Sequence, residues 1–524
     1  MRYFFETYGC QMNKAESAAV EQLLLGRGWS AAATAEEADM AVINTCSVRA
    51  TAESRISGRL GWYAGLKAVR LGAPEAKSAA YPAAARGRPL ALAVMGCMAE
   101  RLLGSFKARF PVVDYVVGTF QKQRFAGIAE AVEQRRSLRD APTADAPAEE
   151  YRFPALSLAP GASSAFVPVM HGCDNFCAYC VVPFVRGREV SRSPEHLLAE
   201  IDALSARSVR EITLLGQNVN SYRWQGTDFP RLVRLVADRL RETASPVEWV
   251  RFLSSHPKDL SPALIQTMRD EPLLCRHVHL PVQHGSTRIL RAMNRRYTRG
   301  DYLEKARLVR ESLPGASLST DMLVGFPGET DADFAEALSL LREVRFESAF
   351  MYYYNPREGT AAAAMPGQIP LAVRKERLQA IIDLQLAVTR EEMAKRIGQE
   401  AKVLAQSVSR GKPSASPHDL RQALPHESPL VSAYGVSNGI CAHERNKHES
   451  HQVSAHEAHR SPAGLRGATN RLHADDDQKP AAELLGKTER DERVVFAAPK
   501  SMLGRFVTVR LSELTGNTFR GIVR

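Results

Sequence analysis

Short apolar runs alternate with longer stretches of helical periodicity along most of the chain. Near the amino terminus the runs RYFFET, ADMAVINT and PLALAVMG are each typical of a strand. A stretch in which apolar residues recur at helical spacing follows each of them. Because strands that alternate with helices form parallel sheets, we expect an α/β fold that begins with a parallel sheet domain.

The same alternation continues through the middle of the chain. Six further apolar runs predict strands, and helical stretches separate them: FVPVM, EITLL, VEWVRFL, HVHLPV, SLSTDMLV and SAFMYYY. Ser193 followed by Pro194 predicts a helix N-cap and first turn. Six βα units predict a partial (βα)6 barrel, whose chemistry gathers at the carboxyl ends of its strands.

The last part of the chain predicts a small β-barrel with an interruption. Strand patterns occur before residue 413 and after residue 482, with turn signals between them. Residues 413–482 show no periodicity and are rich in Pro, Ser, Ala and His, which predicts a disordered insertion, with metal binding as the alternative. The predicted domain organisation is an amino-terminal domain at 1–136, a linker at 137–160, a central domain at 161–395 and a terminal barrel at 396–524.

A cysteine follows each of the three amino-terminal strand patterns, at Cys10, Cys46 and Cys97. The loops after parallel strands open on one edge of the sheet, so these cysteines could converge in space. Each also precedes a helix N-terminus, whose partial positive charge favours a thiolate. Three separately buried structural thiols are the alternative. Their common topological position favours three ligands of one metal centre.

A denser group of cysteines follows the strand FVPVM, with the spacing C-x3-C-x2-C at Cys173, Cys177 and Cys180. Thiolate is the usual ligand of iron–sulfur clusters, and three ligands leave one iron of a four-iron cubane open. Tetrahedral zinc with His171 as the fourth ligand is the alternative. Apolar neighbours are expected to shield a cluster from solvent: Phe176, Tyr179, Val181 and Val182.

Composition and charge add two constraints. The 524 residues are 44% hydrophobic and 24% charged, which is typical of a globular protein, and no stretch is apolar for the length of a membrane span. The amino terminus lacks the pattern of an export signal, so we expect a cytoplasmic protein with reduced thiols. The net charge of +11 is compatible with a polyanionic partner such as RNA.

Several motifs together resemble a known family. The segment from Cys173 to Cys180 with its downstream pattern resembles the radical S-adenosylmethionine superfamily. With YGCQMN, NTCSVR and GCMAER, the chain closely resembles the methylthiotransferases of that superfamily. Within them HGCDNFCAYCVVPFVRGREVSR, LGQNVNSY, SSHP and HLPVQHGS are most similar to the tRNA 2-methylthio-adenosine synthases. The resemblance covers residues 1 to about 410 and resumes near 483, where it implies a TRAM-like RNA-binding barrel without the insertion.

This resemblance implies a reaction and its cofactors. A [4Fe-4S] cluster on Cys173, Cys177 and Cys180 would bind S-adenosylmethionine and cleave it to a 5′-deoxyadenosyl radical. A second [4Fe-4S] cluster, on the amino-terminal cysteines, would hold the sulfur that is methylated and inserted at carbon 2 of N6-isopentenyladenosine. The cofactors would carry this chemistry while the protein orients them. The candidates for contacts with S-adenosylmethionine are Tyr179, Gln217, Asn218, Ser254 and Gln283.

The resemblance also implies partners and leaves alternatives. The substrate would be the anticodon stem-loop of tRNA, the electron donor a protein such as flavodoxin or ferredoxin, and the enzyme a monomer without membrane contact. A rival enzyme would methylthiolate threonylcarbamoyl-adenosine in tRNA or an aspartate of a ribosomal protein. From other classes, the chain would be a redox-sensing RNA-binding protein with structural clusters, or a zinc-stabilised RNA-binding module.

Overall fold

The computed structural model describes residues 1–47, 50–71, 89–134, 151–409 and 482–524. Most of the predicted linker and insertion, including Cys441, lies outside these ranges. Ala482, which we expected to be the last residue of the insertion, is the first residue of a strand. In the described ranges, no helix combines the length and the apolar character that crossing a membrane requires.

Five parallel strands form the amino-terminal sheet: β1 (Arg2–Thr7), β2 (Ser30–Ala31), β3 (Met40–Thr45), β4 (Ala91–Gly96) and β5 (Tyr115–Val117). Their order is β2-β1-β3-β4-β5, so the three strands predicted from the sequence are direct neighbours. β3 is buried along its whole length, as a central strand covered on both faces should be.

Helices cover both faces of this sheet: α1 (Gln11–Gly26), α2 (Ala50–Arg70), α3 (Cys97–Arg101), α4 (Phe106–Arg109) and α5 (Phe125–Glu133). On one face, Val20 and Leu24 of α1 pack with Phe125 of α5. On the other, Leu60 of α2 packs with Phe106 of α4. Because both faces are covered, the carboxyl edge of the strands is where side chains of several strands can meet other groups.

Six parallel strands form the predicted partial barrel in the centre of the chain: β6 (Ser164–Pro168), β7 (Glu211–Leu215), β8 (Trp249–Phe252), β9 (His277–His279), β10 (Ser317–Val324) and β11 (Ser348–Tyr353). They pair as β8-β7-β6 and β9-β10-β11, and a parallel bridge between Val250 and Leu274 joins the two halves. The strands therefore follow one another around the barrel in chain order.

The helices of this domain surround the barrel or connect it to the next domain: α6 (Val182–Arg186), α7 (Pro194–Ser205), α8 (Phe229–Glu242), α9 (Pro262–Asp270), α10 (Thr287–Ala292), α11 (Arg299–Ser312), α12 (Asp331–Val344), α13 (Ala361–Ala364) and α14 (Leu371–Ala394). Ser193 caps α7 by accepting a hydrogen bond from the His196 amide at 3.3 Å, as predicted. Thr298 and Thr330 begin α11 and α12 with capping boxes.

The terminal strands form a closed barrel: β12 (Glu400–Val408), β13 (Ala482–Thr488), β14 (Arg493–Ala498), β15 (Phe506–Thr515) and β16 (Thr518–Val523). β12 and β13 pair directly although the undescribed residues separate them in the chain. The amide of Ser409 donates to the carbonyl of Glu483 at 2.7 Å, which holds the two strand ends side by side. The barrel predicted from the sequence therefore closes.

The tip of the β13–β14 hairpin docks on the central barrel. The Arg251 guanidinium donates to the carbonyls of Thr488 at 2.6 Å and Glu489 at 2.8 Å. The hydroxyl of Ser317, the first residue of β10, donates to the carbonyl of Arg490 at 2.7 Å. The terminal barrel is thus attached near the amino ends of the central strands. The loop that carries Cys173, Cys177 and Cys180 lies at the opposite ends.

Candidate metal centres at the mouth of the central barrel

The three amino-terminal cysteines lie after three neighbouring strands. Cys10 is the N-cap residue of α1, Cys46 follows the last residue of β3, and Cys97 is the first residue of α3 directly after β4. Cys46 and Cys97 are buried and Cys10 is half-buried. β1, β3 and β4 are adjacent and parallel, so the structure brings the three cysteines to one edge of the sheet.

Two asparagines and a threonine hold these strand ends in register. The Cys10 thiol lies 3.2 Å from the Asn13 side-chain oxygen, to which it donates. The Asn13 amide nitrogen donates to the Asn44 side-chain oxygen at 2.7 Å and to the Thr45 carbonyl at 3.0 Å. The Thr45 hydroxyl donates to the carbonyl of Met95 on β4 at 2.6 Å. Polar side chains therefore link Cys10 to the segments that end at Cys46 and Cys97.

Electrostatic interactions connect the Cys97 thiol with the other two cysteines of the group. The pKa of Cys97 is raised to about 12, mainly by burial and also by the neighbouring Cys46 and Cys10, against the opposing charge of Arg186. A bound cation favours the thiolate form of a buried cysteine. This donor set suits a positively charged metal centre.

The first group of cysteines faces the carboxyl ends of the barrel strands. Cys10 packs in an apolar cluster with Leu215, the last residue of β7, and with Leu253, directly after β8. Met12 in the first turn of α1 completes this cluster. The amino-terminal sheet domain therefore lies over the mouth of the central barrel, with Cys10 on the contact surface.

The other two cysteines meet different parts of the same mouth. Cys97 packs with Val181 and Val185, which belong to the segment that follows the second cysteine group. Cys46 lies within electrostatic reach of Arg357, in the loop after β11, where burial lowers the pKa of the guanidinium and Cys46 opposes this change. All three cysteines of the first group thus adjoin the mouth.

The second group of cysteines, which consists of Cys173, Cys177 and Cys180, lies in the loop between the short strand Met170–His171 and α6. The Cys173 amide donates to the Gly187 carbonyl at 3.1 Å, which closes the loop. The Arg295 guanidinium donates to the Cys177 sulfur at 3.3 Å. The pKa of Cys173 is raised to about 11 and that of Cys180 to about 12, in both cases mainly by burial and also by the neighbouring Cys177.

His171, the fourth ligand of the zinc alternative, is packed among aromatic rings. Its ring stacks on Tyr151 with centroids 3.6 Å apart and contacts Phe120 edge to face. Zinc needs ligands about 2.0–2.3 Å from a single ion. In the part of the chain that the structure describes, no three His, Cys, Asp or Glu side chains lie close enough to share one metal ion. A four-iron cluster differs, because its thiolates bind separate irons.

One of the four residues expected to shield the second group from solvent is exposed. Val181 is buried and Tyr179 and Val182 are half-buried, but the Phe176 side chain is exposed. Phe176 adopts a left-handed backbone with φ 47°. Asn294 holds this conformation by donating to the Phe176 carbonyl at 2.9 Å. This backbone conformation turns the Phe176 ring toward solvent, which sequence spacing does not reveal.

A buried ion-pair network, missed in the sequence, joins the two domains beside the cysteines. The guanidinium of Arg186, at the end of α6, donates to both carboxylate oxygens of Glu16 on α1, at 2.8 and 3.2 Å. Lys122 donates to Glu16 at 3.1 Å and to the Tyr151 hydroxyl at 2.7 Å. Arg186 also lies within electrostatic reach of Cys97. The charged residue within the apolar segment VVPFVRG was the available signal for Arg186.

Comparison with known proteins decides the family. The radical SAM superfamily matches residues 167–341, and the uncharacterized protein family UPF0004 matches residues 2–118. The tRNA-2-methylthio-N(6)-dimethylallyladenosine synthase of Treponema denticola is 46% identical over 99% of each chain. The protein of the same name from Treponema pallidum strain Nichols is 49% identical, over 79% of this chain and 89% of its own. The chain belongs to the tRNA-2-methylthio-N(6)-dimethylallyladenosine synthase family.

A solved structure supports the fold independently. The radical S-adenosylmethionine methyltransferase TsrM from Kitasatospora setae, solved with cobalamin and a [4Fe-4S] cluster, superposes with a TM-score of 0.51. The superposition covers 69% of this chain and 77% of TsrM, at 13% sequence identity. This synthase therefore shares its fold, over that part of the chain, with a more distant protein.

The predicted S-adenosylmethionine contacts lie at the carboxyl ends of the strands. Ser254 and Gln283 both have left-handed backbone angles, with φ 70° and 73°, and both are half-buried. Strained backbone of this kind is common at ligand sites. Gln217 and Tyr179 are also half-buried. Asn218 is buried, and its amide is engaged by the Asp259 carboxylate and the His256 backbone.

Gly172 provides a test of the cysteine loop. Its φ is +77°, and a Cβ there would lie 2.0 Å from the Arg188 carbonyl oxygen. We expect Gly172→Ala to lower the free energy of unfolding by more than the roughly 1–3 kcal/mol of a strained backbone alone. Gly226→Ala is the matched control, because its φ is +84° but nothing lies within 4 Å. Chemical denaturation of both variants measures the difference, and equal losses would show that the Cβ clash is absent.

Proposed function

We propose that this chain methylthiolates carbon 2 of N6-isopentenyladenosine next to the anticodon in tRNA. The observation that carries the proposal is the 46% identity to the Treponema denticola synthase over 99% of both chains. The geometry agrees with it, because the first cysteine group adjoins the barrel mouth beside the loop that carries the second. A reaction that joins a radical to a sulfur donor requires the two sites to share a cavity.

Each cysteine group is proposed to hold one [4Fe-4S] cluster: Cys10, Cys46 and Cys97 of the first group one cluster, and Cys173, Cys177 and Cys180 of the second group the other. The donor set fits, since thiolate is the usual cluster ligand. A buried guanidinium also adjoins each group, Arg186 beside the first and Arg295 beside the second, and favours the negative charge of the thiolates. When bound, the cluster on Cys173, Cys177 and Cys180 would generate the radical from S-adenosylmethionine, and the cluster on the amino-terminal cysteines would supply the sulfur that is inserted.

The chain itself orients the reactants and excludes water. Buried Val181 and Val185 pack against Cys97 and close the space between the two groups on one side. Arg295 fixes the Cys177 sulfur and also donates to the Pro281 carbonyl at 2.9 Å. The residues proposed to surround S-adenosylmethionine at the strand ends are Tyr179, Gln217, Asn218, Ser254 and Gln283.

The partners follow from this assignment. The anticodon stem-loop of tRNA is the proposed substrate, held in part by the terminal barrel as a TRAM-like RNA-binding domain. A low-potential protein such as flavodoxin or ferredoxin is the proposed electron donor, because iron–sulfur clusters take up single electrons. We place the enzyme in the cytoplasm as a monomer, with the domain boundaries at residues 136, 160 and 395 that the sequence predicts.

A tRNA assay tests this function. Anaerobically purified, reduced protein is incubated with S-adenosylmethionine and isopentenylated tRNA, and nucleosides are analysed by mass spectrometry. We expect the methylthio product from isopentenylated tRNA and at least on the order of tenfold less from unmodified tRNA, because the loss of even one methylene contact costs roughly 1–3 kcal/mol. Iron and sulfide analysis of the same preparation checks the two clusters.

Each alternative gives a different result in this assay. Product from threonylcarbamoylated tRNA, but none from isopentenylated tRNA, would assign the chain to the rival modification. S-adenosylmethionine cleavage without any methylthio nucleoside would indicate another substrate, such as a ribosomal protein. RNA binding with neither cleavage nor product would support the redox-sensing protein.

A further inference from the structure

Two exposed aromatic rings lie beside the second cysteine group. Phe176, between Cys173 and Cys177, is 37% exposed, and Phe184 in α6 is 63% exposed. Their ring centroids are 6.3 Å apart and the planes meet at 81°. In the ranges that the structure describes, every other Phe, Tyr and Trp side chain is buried or half-buried. The largest aromatic exposure therefore occurs at the rim of the proposed active site.

A guanidinium adjoins this pair. The Arg188 side chain is 73% exposed and lies 5.4 Å from the centroid of the Phe176 ring, within the range of a cation–π contact. Arg188 also pairs with Asp174 at 2.9 Å, which fixes its position over the ring. We call Phe176, Phe184 and Arg188 the rim platform. It presents ring faces and a planar cation to solvent together.

Hydrogen bonds hold the backbone of the rim platform in a strained conformation. Phe176 has φ 47°, an uncommon value for a bulky residue. Asn294 fixes it with hydrogen bonds to the carbonyls of Phe176 at 2.9 Å and Asn175 at 3.3 Å, and itself has φ 59°. Such strain persists where the surrounding structure determines it, and it is concentrated at binding and catalytic sites. Core packing does not account for it, since the ring is exposed.

The positive charge of the rim platform favours an anionic partner that carries planar groups. Arg296, two residues after Asn294, is exposed and adds a second cation to the segment that contacts Phe176. The chain as a whole carries +11. Unpaired RNA bases stack on aromatic rings and on arginine planes, while their phosphates bind cations. An apolar protein partner would need no guanidinium at the centre of the patch.

We infer that the rim platform stacks an unpaired base of the anticodon loop adjacent to the target nucleoside. The inference rests on the proposed function, because it places the same RNA at the same mouth. A base held on the platform would anchor the loop while its neighbour is turned into the cavity. The platform thus contributes to RNA affinity and to the position of the target base.

Binding of an isopentenylated anticodon stem-loop RNA, measured by fluorescence anisotropy at one fixed salt concentration, tests the inference. Base–aromatic stacking corresponds to a loss on the order of tenfold in affinity when the ring is removed. We expect Phe184→Leu to raise Kd about tenfold and Phe184→Tyr to bind within about twofold of the wild type. Leucine keeps the apolar surface, so this contrast isolates the ring.

Controls separate this result from misfolding. Leu371→Ala removes an exposed apolar side chain at the start of α14 and should leave Kd unchanged. Iron content and thermal midpoint should equal those of the wild type in all three variants. Arg188→Gln should reduce the slope of log Kd against log salt by about one, as the loss of one phosphate contact would.

Different failures have different meanings. If the wild type binds and modifies the RNA but Phe184→Leu binds it equally well, the rim platform is not an RNA site and the proposed function stands. If the wild type neither binds nor modifies isopentenylated RNA, the proposed function falls. If Phe184→Leu leaves RNA affinity intact but changes the molecular mass measured by light scattering, the platform is a contact between copies of the chain.

Discussion

Replacement of Cys10 by alanine is expected to abolish methylthio insertion while S-adenosylmethionine cleavage continues. Cys10 belongs to the amino-terminal group, whose proposed cluster donates sulfur, and it contacts the barrel in the apolar cluster with Leu215 and Leu253. Cys177→Ala should abolish both activities, because Cys177 is a proposed ligand of the cluster that binds S-adenosylmethionine. Production of 5′-deoxyadenosine and of methylthio nucleoside, measured in the same reaction, separates the two effects.

Cys275→Ala is the control for these cysteine variants. Cys275 is buried between Trp249 and Leu404, where the terminal barrel meets the central barrel. Loss of its thiol should slightly lower the free energy of unfolding and leave both activities unchanged. Full methylthio yield from Cys10→Ala would show that this residue is not a ligand of the sulfur-donating cluster.

Replacement of Arg186 by methionine should strongly destabilise the contact between the first two domains. The substitution leaves the Glu16 carboxylate buried without its bidentate partner, and breaking a buried pair typically costs about 3–5 kcal/mol. Lys122 still faces Glu16, so we expect a loss near the lower value. Chemical denaturation measures it, with exposed Arg188→Met as a control expected to change stability by less than about 0.5 kcal/mol.

A double variant and the pH dependence of stability distinguish a loss of the ion pair from a loss of packing. Glu16→Gln combined with Arg186→Met should recover part of the loss, because no unpaired carboxylate remains. Burial acts to raise the pKa of Glu16, but Arg186 and Lys122 outweigh burial and lower it. This stabilisation is therefore present above the ordinary pKa of glutamate and is lost as pH falls through the lowered value. An identical loss at all pH values would contradict the ion-pair explanation.

Local pattern was sufficient for much of the fold. The apolar runs before Cys10, Cys46 and Cys97 are the neighbouring strands β1, β3 and β4, and the six central runs form the partial barrel in chain order. Parallel strands and their helices leave a repeating signal in the sequence, so their carboxyl ends could be placed together before any coordinates.

Contacts between distant segments could not be predicted in this way. Glu16 and Arg186 are far apart in the chain, and neither residue type is expected to be buried until the partner is known. Phe176 was expected to cover the cysteines and is instead exposed, because a hydrogen bond from Asn294 sets its backbone. The roles of individual side chains at the strand ends depend on the same long-range geometry.

The direct pairing of β12 with β13 bears on how the family can vary. Since the last residues of one strand lie beside the first residues of the other, whatever joins them leaves and returns at a single point on the barrel. The entropy of closing a loop grows only with the logarithm of its length, by about 0.6 kcal/mol for each doubling. Synthases could therefore gain or lose whole segments here during evolution while every strand keeps its neighbours.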